Sequence, residues 1–416
     1  MFARQLTLFS GLTLIVLSAL LLIPTRPAQA QTETVLYNFA GSPDGAAPNC
    51  RLTPDGAGNL YGTTQDGGLG YGDGNPGYGT VFELSPNGKG GWNEKLLYSF
   101  TGGADGANPS SSYVVFDGTG NLYGTTYGGG ANGFGVVFEL SPQGANWKEA
   151  VLHTFSGPDG AGPVNGLIFD SESNLYGTTL TGGDSGFGTV FELSPIGGEW
   201  TEEVLYSISG SSRGISYAGV TMDAAGNIFG TTESTVFELS PNGSGGWNPT
   251  VIHTFTGPTK DGSFPQGTLV FDKAGNLYGT TQTGGAKDDG IVYELSPITK
   301  GKKKGTWTEK ILHSFRGSKA DGSNPWAGIV FDGAGNIYGT TIEGGKYGQE
   351  DGGYGTVFEL IAPVGKGGYK EKVLWNFDVT DGLNPAAGLI LDNAGNLYGT
   401  TLGGLDGYGM VFEVIP

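Results

Sequence analysis

The chain has 416 residues, of which 80 are glycine, 12% are aromatic and only 15% are charged. This glycine content is typical of many short strands joined by tight turns, and the aromatic residues supply core material that disordered chains lack. Acidic residues outnumber basic ones by 40 to 21, and the resulting net charge of −19 makes nucleic acids and anionic membrane surfaces poor partners.

The first thirty residues have the organisation of a secretory signal peptide. Arg4 precedes an apolar run from Leu6 to Ile23, and the small-residue sequence Ala28-Gln29-Ala30 follows as a cleavage site. The sequence therefore predicts a mature chain, residues 31–416, that is secreted or periplasmic and has no membrane span. An uncleaved anchor is the alternative, because the apolar run approaches the roughly 18 residues that can span a bilayer.

One unit of four short elements then repeats seven times along the chain. Its second element reads Asn-Leu-Tyr-Gly-Thr-Thr or a close variant and begins at Asn59, Asn121, Asn174, Asn227, Asn276, Asn336 and Asn396. Before it lies a segment ending in aspartate, and after it come a Val-Phe-Glu-Leu element and an alternating segment such as Val-Leu-Tyr-Asn-Phe. All four elements are rich in β-branched and aromatic residues and are bounded by turn residues, which predicts four strands, A to D.

Seven such units predict an all-β fold, a seven-bladed β-propeller with four antiparallel strands per blade. The mature chain opens with a D strand, Val35 to Phe39, and stops at a C strand, Val411 to Val414. The last blade thus lacks its outer strand and the first has one to spare, so the N-terminal strand is expected to complete the last blade and to close the ring. We expect residues 31–416 to form a single domain and a monomer.

The Asn-Leu-Tyr-Gly-Thr-Thr, Gly-Thr-Val-Phe-Glu-Leu and Asp-Gly-x-x-Pro sequences resemble the GloVer tandem-repeat family of exported bacterial proteins. The resemblance covers residues 34–416. It implies extracellular proteins held by varied C-terminal anchors, and it assigns no molecular function. Because only Ile415 and Pro416 follow Val414, we expect release into the periplasm or the medium.

Groups that recur in every unit predict structural hydrogen bonds and not catalysis. The aspartate of the A–B hairpin and the glutamate of strand C occur in all seven units, whereas acid–base catalysis needs two carboxyls in unlike environments. The three histidines, His153, His253 and His313, replace aromatic residues of D strands in separate units, so they cannot converge on one metal or nucleophile. We interpret them as packing residues.

The sequence predicts no catalytic residue, no metal ligand and no cofactor. It contains no phosphate-binding loop, dinucleotide fingerprint or hydrolase motif. Its single cysteine, Cys50, excludes an internal disulfide. Calcium binding at the aspartate-rich loops is an alternative that the sequence leaves open, although the spacing of an EF-hand does not occur.

A ligand-binding face is predicted where the D-to-A crossings meet the B-to-C loops. An Asp-Gly pair follows strand D in six units, at Asp44, Asp105, Asp159, Asp261, Asp321 and Asp381. The same face carries aromatic residues that precede strand C, including Tyr78, Tyr354 and Tyr408. Acidic and aromatic side chains around a shallow bowl suit a sugar or a cation. Alternatively, each aspartate holds its own turn and each ring packs between blades.

The repetition fails once, in the fourth unit. Its crossing, Ser209 to Ser216, contains Arg213 but no Asp-Gly pair, and its B-to-C loop shrinks to Glu233-Ser234. The loops opposite, Asp66 to Gly79 and Gly344 to Gly355, are the longest. We predict that the short loops of the fourth unit leave a notch in the loop face, opposite the two long loops, and we include Arg213 among the ligand-binding residues. Alternatively, the fourth unit has lost the pattern by sequence drift because no function constrains it.

Three classes of function fit the sequence. The leading hypothesis is a noncatalytic binding propeller for a glycan or a protein. The second is a polysaccharide lyase or hydrolase on the same face, which predicts two non-equivalent carboxyls in one pocket. The third is a structural surface protein, which needs only the fold. A binding protein predicts a shallow bowl with exposed rings.

Overall fold

The computed structural model describes residues 31–416 apart from Asp73, 210–213, Ser216, Lys260, 302–304 and 349–351. The predicted signal peptide therefore lies outside the described residues. The described part contains strands and turns and no helix, so it holds no helix that could cross a membrane.

The described strands form seven four-stranded antiparallel sheets, blades I to VII, arranged as the predicted propeller. Blades I and II comprise β2 (Thr53–Pro54), β3 (Leu60–Thr64), β4 (Thr80–Pro86), β5 (Trp92–Ser99), β6 (Val115–Phe116), β7 (Leu122–Thr126), β8 (Val136–Gln143) and β9 (Asn146–Thr154). Blades III and IV comprise β10 (Ala161–Phe169), β11 (Leu175–Thr181), β12 (Thr189–Ile196), β13 (Glu199–Ser207), β14 (Thr221–Met222), β15 (Ile228–Thr231), β16 (Thr235–Pro241) and β17 (Trp247–Thr254).

Blades V and VI comprise β18 (Val270–Phe271), β19 (Leu277–Thr281), β20 (Ile291–Pro297), β21 (Trp307–Ser314), β23 (Val330–Phe331), β24 (Ile337–Thr341), β26 (Thr356–Ile361) and β27 (Lys370–Asn376). Blade VII comprises β28 (Ile390–Leu391), β29 (Leu397–Thr401), β30 (Met410–Ile415) and β1 (Thr32–Asn38). A small additional sheet, which the repeat pattern does not predict, pairs β22 (Gly322–Ser323) with β25 (Glu343–Gly344).

The ring closes where the two ends of the described chain meet. Strand β1 pairs with β30 in antiparallel register, with Val35 opposite Phe412 and Tyr37 opposite Val411. Across the same seam, the hydroxyl of Thr400 donates to the carbonyl oxygen of Cys50 at 3.0 Å. The predicted closure by the N-terminal strand is confirmed, and it gives every blade four strands.

The glycine of the second strand makes room for an aromatic ring of the third. Gly62 pairs with Phe82, and a Cβ atom added to Gly62 would lie 2.6 Å from Cζ of that ring. Such a contact is far shorter than van der Waals distance, so a larger residue would displace the fully buried Phe82. The corresponding glycine in the other blades faces an aromatic ring in the same way, which explains why Leu-Tyr-Gly recurs.

The first threonine of the same motif joins each blade to the next. Thr63 donates to the carbonyl oxygen of Ser112 at 2.6 Å, and Thr280 donates to that of Ala327 at 2.8 Å. Equivalent bonds extend from Thr125, Thr178, Thr231, Thr340 and Thr400. Each of these bonds satisfies a buried backbone acceptor that would otherwise be costly to enclose.

The hydrophobic core lies between adjacent blades and is not one central mass. Phe39 follows β1 and packs edge-on against Phe82 of blade I, with ring centroids 5.1 Å apart. Phe100 makes the matching contact with Phe138 across the junction of blades I and II, at 5.2 Å. All four rings are at most 1% exposed. Each junction is thus a separate hydrophobic cluster of similar composition.

Phe39 and Phe100 allow a matched test of the closure. We expect Phe39→Ala to destabilise the protein by about 3–5 kcal/mol, the usual cost of removing a buried phenylalanine ring, and Phe100→Ala to cost about the same. Urea unfolding followed by tryptophan fluorescence measures both variants, with the fully exposed Val364→Ala as a control. A Phe39→Ala variant as stable as the parent would show that the N-terminal strand is not docked in solution.

Candidate functional site

The six aspartates of the D-to-A crossings are held in place by the outer strands. Tyr37 donates to Asp44 at 2.7 Å, and Trp375 donates through Nε1 to Asp381 at 2.9 Å. Hydrogen bonds join three further pairs, Tyr98–Asp105, His153–Asp159 and His313–Asp321, and in the sixth pair Nε2 of His253 lies 3.7 Å from Oδ2 of Asp261. These carboxylates therefore lie beside the outer strands at the blade junctions, and the central cavity is lined by other residues.

A glutamate from the next outer strand lies near each of these aspartates. Burial, together with repulsion from Asp44, raises the pKa of Glu94 to about 7, and the pKa of Glu149 beside Asp105 rises to about 7 for the same reasons. The equivalent glutamates with raised pKa values are Glu33, Glu202, Glu309 and Glu371. In each of the six, Oε1 is buried and has no hydrogen-bond partner among the described residues.

The seventh junction lacks both carboxyls. The crossing between blades III and IV has no Asp-Gly pair, and the strand position that holds glutamate elsewhere is Pro249. Strand register supports this equivalence, because Pro249 pairs with Leu239 of its own blade just as Glu94 pairs with Leu84. The aspartate and the glutamate are therefore present together or absent together, which indicates that they act as a pair.

The predicted aromatic residues do lie on the same face as the crossings. The carbonyl oxygen of Tyr78 accepts a hydrogen bond from the backbone N–H of Asn108 at 2.8 Å, so the loop before strand C contacts the crossing beside it. The backbones of Tyr354 and Tyr408 accept equivalent bonds. The three rings are half-buried against their own junctions, and the cavity at the centre is formed by different side chains.

The acids that recur in all seven units make the expected structural hydrogen bonds. Oδ1 of Asp117 accepts the backbone N–H groups of Thr119 at 2.8 Å and Asn121 at 2.9 Å, which closes the A–B hairpin. On strand C, Glu139 accepts the hydroxyl of Ser141 at 2.6 Å. These contacts confirm that the repeated carboxylates serve the turns and sheets.

The fourth unit borders a hollow of about 260 Å³. Phe187, Ile215, Tyr217, Glu233 and Gln266 line it, on the side where the B-to-C loop is shortest. Arg213, which the sequence places in this crossing, lies outside the described residues. Tyr217 and Gln266 also line a larger cavity at the centre of the ring, so the hollow and the cavity adjoin.

The central cavity has a volume of about 600 Å³ and receives residues from all seven blades. Residues just before the first strands, such as Arg51, Gln266 and Trp326, provide many of its polar and aromatic side chains. The rings of Tyr217 and Trp326, from blades IV and VI, lie 6.0 Å apart and are tilted by 49°. Apolar side chains of the first strands, such as Ile168 and Met222, complete the wall. The volume falls within the usual range of small-molecule sites, roughly 300–1,000 Å³.

Arg51 is the one charged residue among the described residues that line this cavity. Its guanidinium carbon lies 5.7 Å from the centre of the Tyr113 ring, within the range of a cation–π contact. The side chain of Arg51 is exposed, and none of the ion pairs within the described residues involves it. A single unpaired cation thus faces the cavity of a strongly acidic protein.

Amide groups around the cavity are oriented by short hydrogen bonds. Asn165 donates to the carbonyl oxygen of Tyr217 at 3.0 Å, and Gln266 accepts the backbone N–H of Tyr217 at 3.1 Å. Asn49 donates to the hydroxyl of Ser111 at 3.0 Å. Each amide keeps further donor or acceptor capacity for a ligand. The cavity combines rings, amides and one guanidinium, and its described lining contains neither carboxylate nor imidazole.

Sequence reasoning missed the residues of this cavity. The position four residues before the aspartate of each A–B hairpin holds Arg51, Tyr113, Gly166, Gly219, Thr268, Gly328 or Gly388, and such variation contrasts with the constancy of the residues that follow. That contrast is present in the sequence and could have indicated the cavity, because a departure from the repeat is also what distinguishes the fourth unit. The predicted ligand-binding face rests instead on the Asp-Gly pairs of six units and the aromatic residues before strand C.

A closed seven-bladed β-propeller with a lined central cavity is the class of protein that the fold and the site define. The family model of the Gloeobacter/Verrucomicrobia repeat matches residues 68–235 and 233–416. The chain belongs to this family, as the sequence resemblance predicts. No curated protein matches the chain.

Solved structures similar to this chain share its fold at low sequence identity. Selenomethionine-substituted virginiamycin B lyase from Staphylococcus aureus is 11% identical with a TM-score of 0.56, and the alignment covers 93% of this chain and 99% of that one. A catalytically inactive form of that lyase with quinupristin is 13% identical, with the same coverage and TM-score of 0.56. PorZ, a surface component of the type-IX secretion system of Porphyromonas gingivalis, is 14% identical with a TM-score of 0.50, covering 90% of this chain and 48% of that one. At these identities the likeness shows the fold alone.

The junction glutamates predict an unusual dependence of stability on pH. Because the folded pKa of Glu94 and Glu149 is about 7 and the ordinary value is 4.5, the folded state binds these protons more tightly than the unfolded chain does. Stability should therefore fall as pH rises from about 4.5 to about 7 and then level off. Burial lowers the pKa of His253 and opposes this trend at one junction only.

Melting temperatures measured in small pH steps test this expectation. Glu94→Gln, which replaces the protonated carboxyl with an amide, should reduce the slope, whereas Glu199→Gln on the exposed surface should leave it unchanged. A melting temperature that increases steadily between these pH values would contradict the assignment of protonated junction carboxyls.

Proposed function

We propose that the protein binds an acidic carbohydrate in its central cavity and leaves the carbohydrate chemically unchanged. The observation that carries the proposal is the exposed guanidinium of Arg51, the one charge among the described lining residues. Arginine recognises a carboxylate through two parallel hydrogen bonds, which gives both affinity and orientation. A sugar that bears a carboxylate, such as a uronic acid, matches this chemistry.

The aromatic residues support a sugar as the rest of the ligand. A pyranose ring presents C–H groups on its faces and hydroxyls at its edge, so it stacks on aromatic rings and hydrogen-bonds to amides. Tyr217 and Trp326 supply such rings, while Asn49, Asn165 and Gln266 supply amides near them. The volume of about 600 Å³ is sufficient for a short saccharide segment.

Binding without catalysis fits the chemistry of the lining better than glycoside hydrolysis. A glycoside hydrolase needs a general acid and a general base, usually a pair of carboxyls. The described lining of the central cavity has neither group. The adjoining hollow has one carboxylate, that of Glu233, and one carboxylate does not form the pair that the sequence hypothesis requires.

We further propose that the protein is exported and is a monomer. The apolar run followed by Ala28-Gln29-Ala30 supports cleavage of a signal peptide and release into the periplasm or medium. The acidic composition supports solubility there. A protein partner is the alternative to a glycan, and it would contact the loops around the cavity.

A glycan array tests the ligand class directly. We expect the purified protein to bind oligosaccharides that contain uronic acids, and to bind the matching neutral oligosaccharides more weakly. Arg51→Ala should weaken uronate binding by about 10- to 100-fold, the usual effect of losing a charge-assisted hydrogen bond, and should leave weak neutral-sugar binding unchanged. Trp326→Ala should weaken both.

Asp105→Asn serves as the control, because this carboxylate lies at a blade junction away from the cavity. Its binding should equal that of the parent. Chromatography of the oligosaccharide after incubation distinguishes binding from catalysis, since a lyase or hydrolase would release shorter products. An array with no uronate signal, or an Arg51→Ala variant that binds uronates like the parent, would refute the proposal.

A further inference from the structure

Three blade junctions bring a histidine and two carboxylates together. In each of them the candidate ligand atoms lie within 4.8 Å of one another. The histidine belongs to the outer strand of one blade, the aspartate to the crossing and the glutamate to the outer strand of the next blade. The clusters are His153–Asp159–Glu202, His253–Asp261–Glu309 and His313–Asp321–Glu371.

The cluster between blades IV and V has two polar atoms without partners. Nε2 of His253 and Oε1 of Glu309 are buried, and neither has a hydrogen-bond partner among the described residues. Nε2 of His253 lies 3.7 Å from Oδ2 of Asp261, which is longer than a hydrogen bond. Buried polar atoms left in this state are costly unless another group satisfies them.

The spacing of these atoms suits a small metal ion. Zinc binds nitrogen and oxygen at about 2.0–2.2 Å in tetrahedral geometry, so two of its ligand atoms lie about 3.3–3.5 Å apart. The 3.7 Å separation of His253 and Asp261 is close to that value, and the limit of 4.8 Å for all three ligand atoms needs only small side-chain movements. A nitrogen ligand favours zinc-like ions over calcium or magnesium, which prefer oxygen.

Other junctions show what replaces the histidine when no such site forms. At the junction of blades I and II, Tyr98 occupies the histidine position and donates its hydroxyl to Asp105 at 3.0 Å. The ring packing is nevertheless the same, since His253 lies edge-on to Phe255 at 4.6 Å and Tyr98 lies edge-on to Phe100 at 5.1 Å. The packing expected from the sequence therefore accounts for one edge of the imidazole and leaves Nε2 unexplained.

We propose that His253, Asp261 and Glu309 bind a divalent transition-metal ion of the Zn²⁺ class, which joins the outer strands of blades IV and V. Water completes the coordination. The two sibling clusters bind the same ion more weakly. In these clusters His153 has a hydrogen bond to Asp159 at 2.9 Å, and His313 has one to Asp321 at 3.4 Å.

Zinc titration of the chelator-treated protein by isothermal calorimetry tests the proposal. The parent should bind zinc and melt at a higher temperature with zinc than with a chelator. His253→Tyr, which copies the sibling junctions, should remove the tightest equivalent and reduce the zinc-dependent rise in melting temperature. The melting temperature of this variant in chelator checks that it folds.

A converse variant keeps the test decisive if His253→Tyr is unstable. Tyr98→His places an imidazole beside Asp105 and Glu149, and it should add one equivalent of zinc relative to the parent. A parent that binds no zinc at millimolar concentration would overturn the proposal. So would a His253→Tyr variant that retains the tightest equivalent, or a Tyr98→His variant that gains none.

Discussion

The antiparallel pairing of β1 with β30 is the constraint on which the rest of the ring depends. Without it, blade VII would end at an open edge, and the contact between Phe39 and Phe82 would lose the strand that positions it. With it, every junction has the same set of contacts, namely a ring-to-ring contact or its aliphatic substitute and a threonine bond to the next blade. A closed ring also fixes the radius at which the first strands lie, and thereby the size of the central cavity.

Repeated and variable positions divide the structural and chemical tasks between them. Gly62 must stay small because of Phe82, and Thr63 must keep its hydroxyl because of a carbonyl in blade II. Arg51 and Trp326, which precede two of the first strands, carry no such duty because their side chains line the cavity. These two positions can therefore differ from their counterparts in other blades without disturbing the fold.

The architecture could be predicted almost completely from the sequence, because it rests on short-range patterns and on the phase of the repeat at the two ends. The cavity could not, because its chemistry arises between residues far apart in the chain. Arg51 and Tyr113 are neighbours only once blades I and II are side by side. The junction carboxyls could be predicted only in part. The sequence indicates that Asp105 lies in a crossing, but it does not indicate that Glu149 of the next outer strand lies beside it.

The junction carboxyls and the cation of the cavity occupy different parts of the structure. Six junctions hold an aspartate and a glutamate together, where burial and then repulsion from the aspartate raise the pKa of the glutamate, and none of these carboxyls is among the described residues that line the cavity. The junction of blades III and IV lacks such a pair, and Pro249 stands in the glutamate position. The adjoining hollow shares Tyr217 and Gln266 with the cavity. The break in the repeat therefore leaves the junction of blades III and IV without the carboxyl pair, and Glu233 is the one charged residue among the described residues that line its hollow.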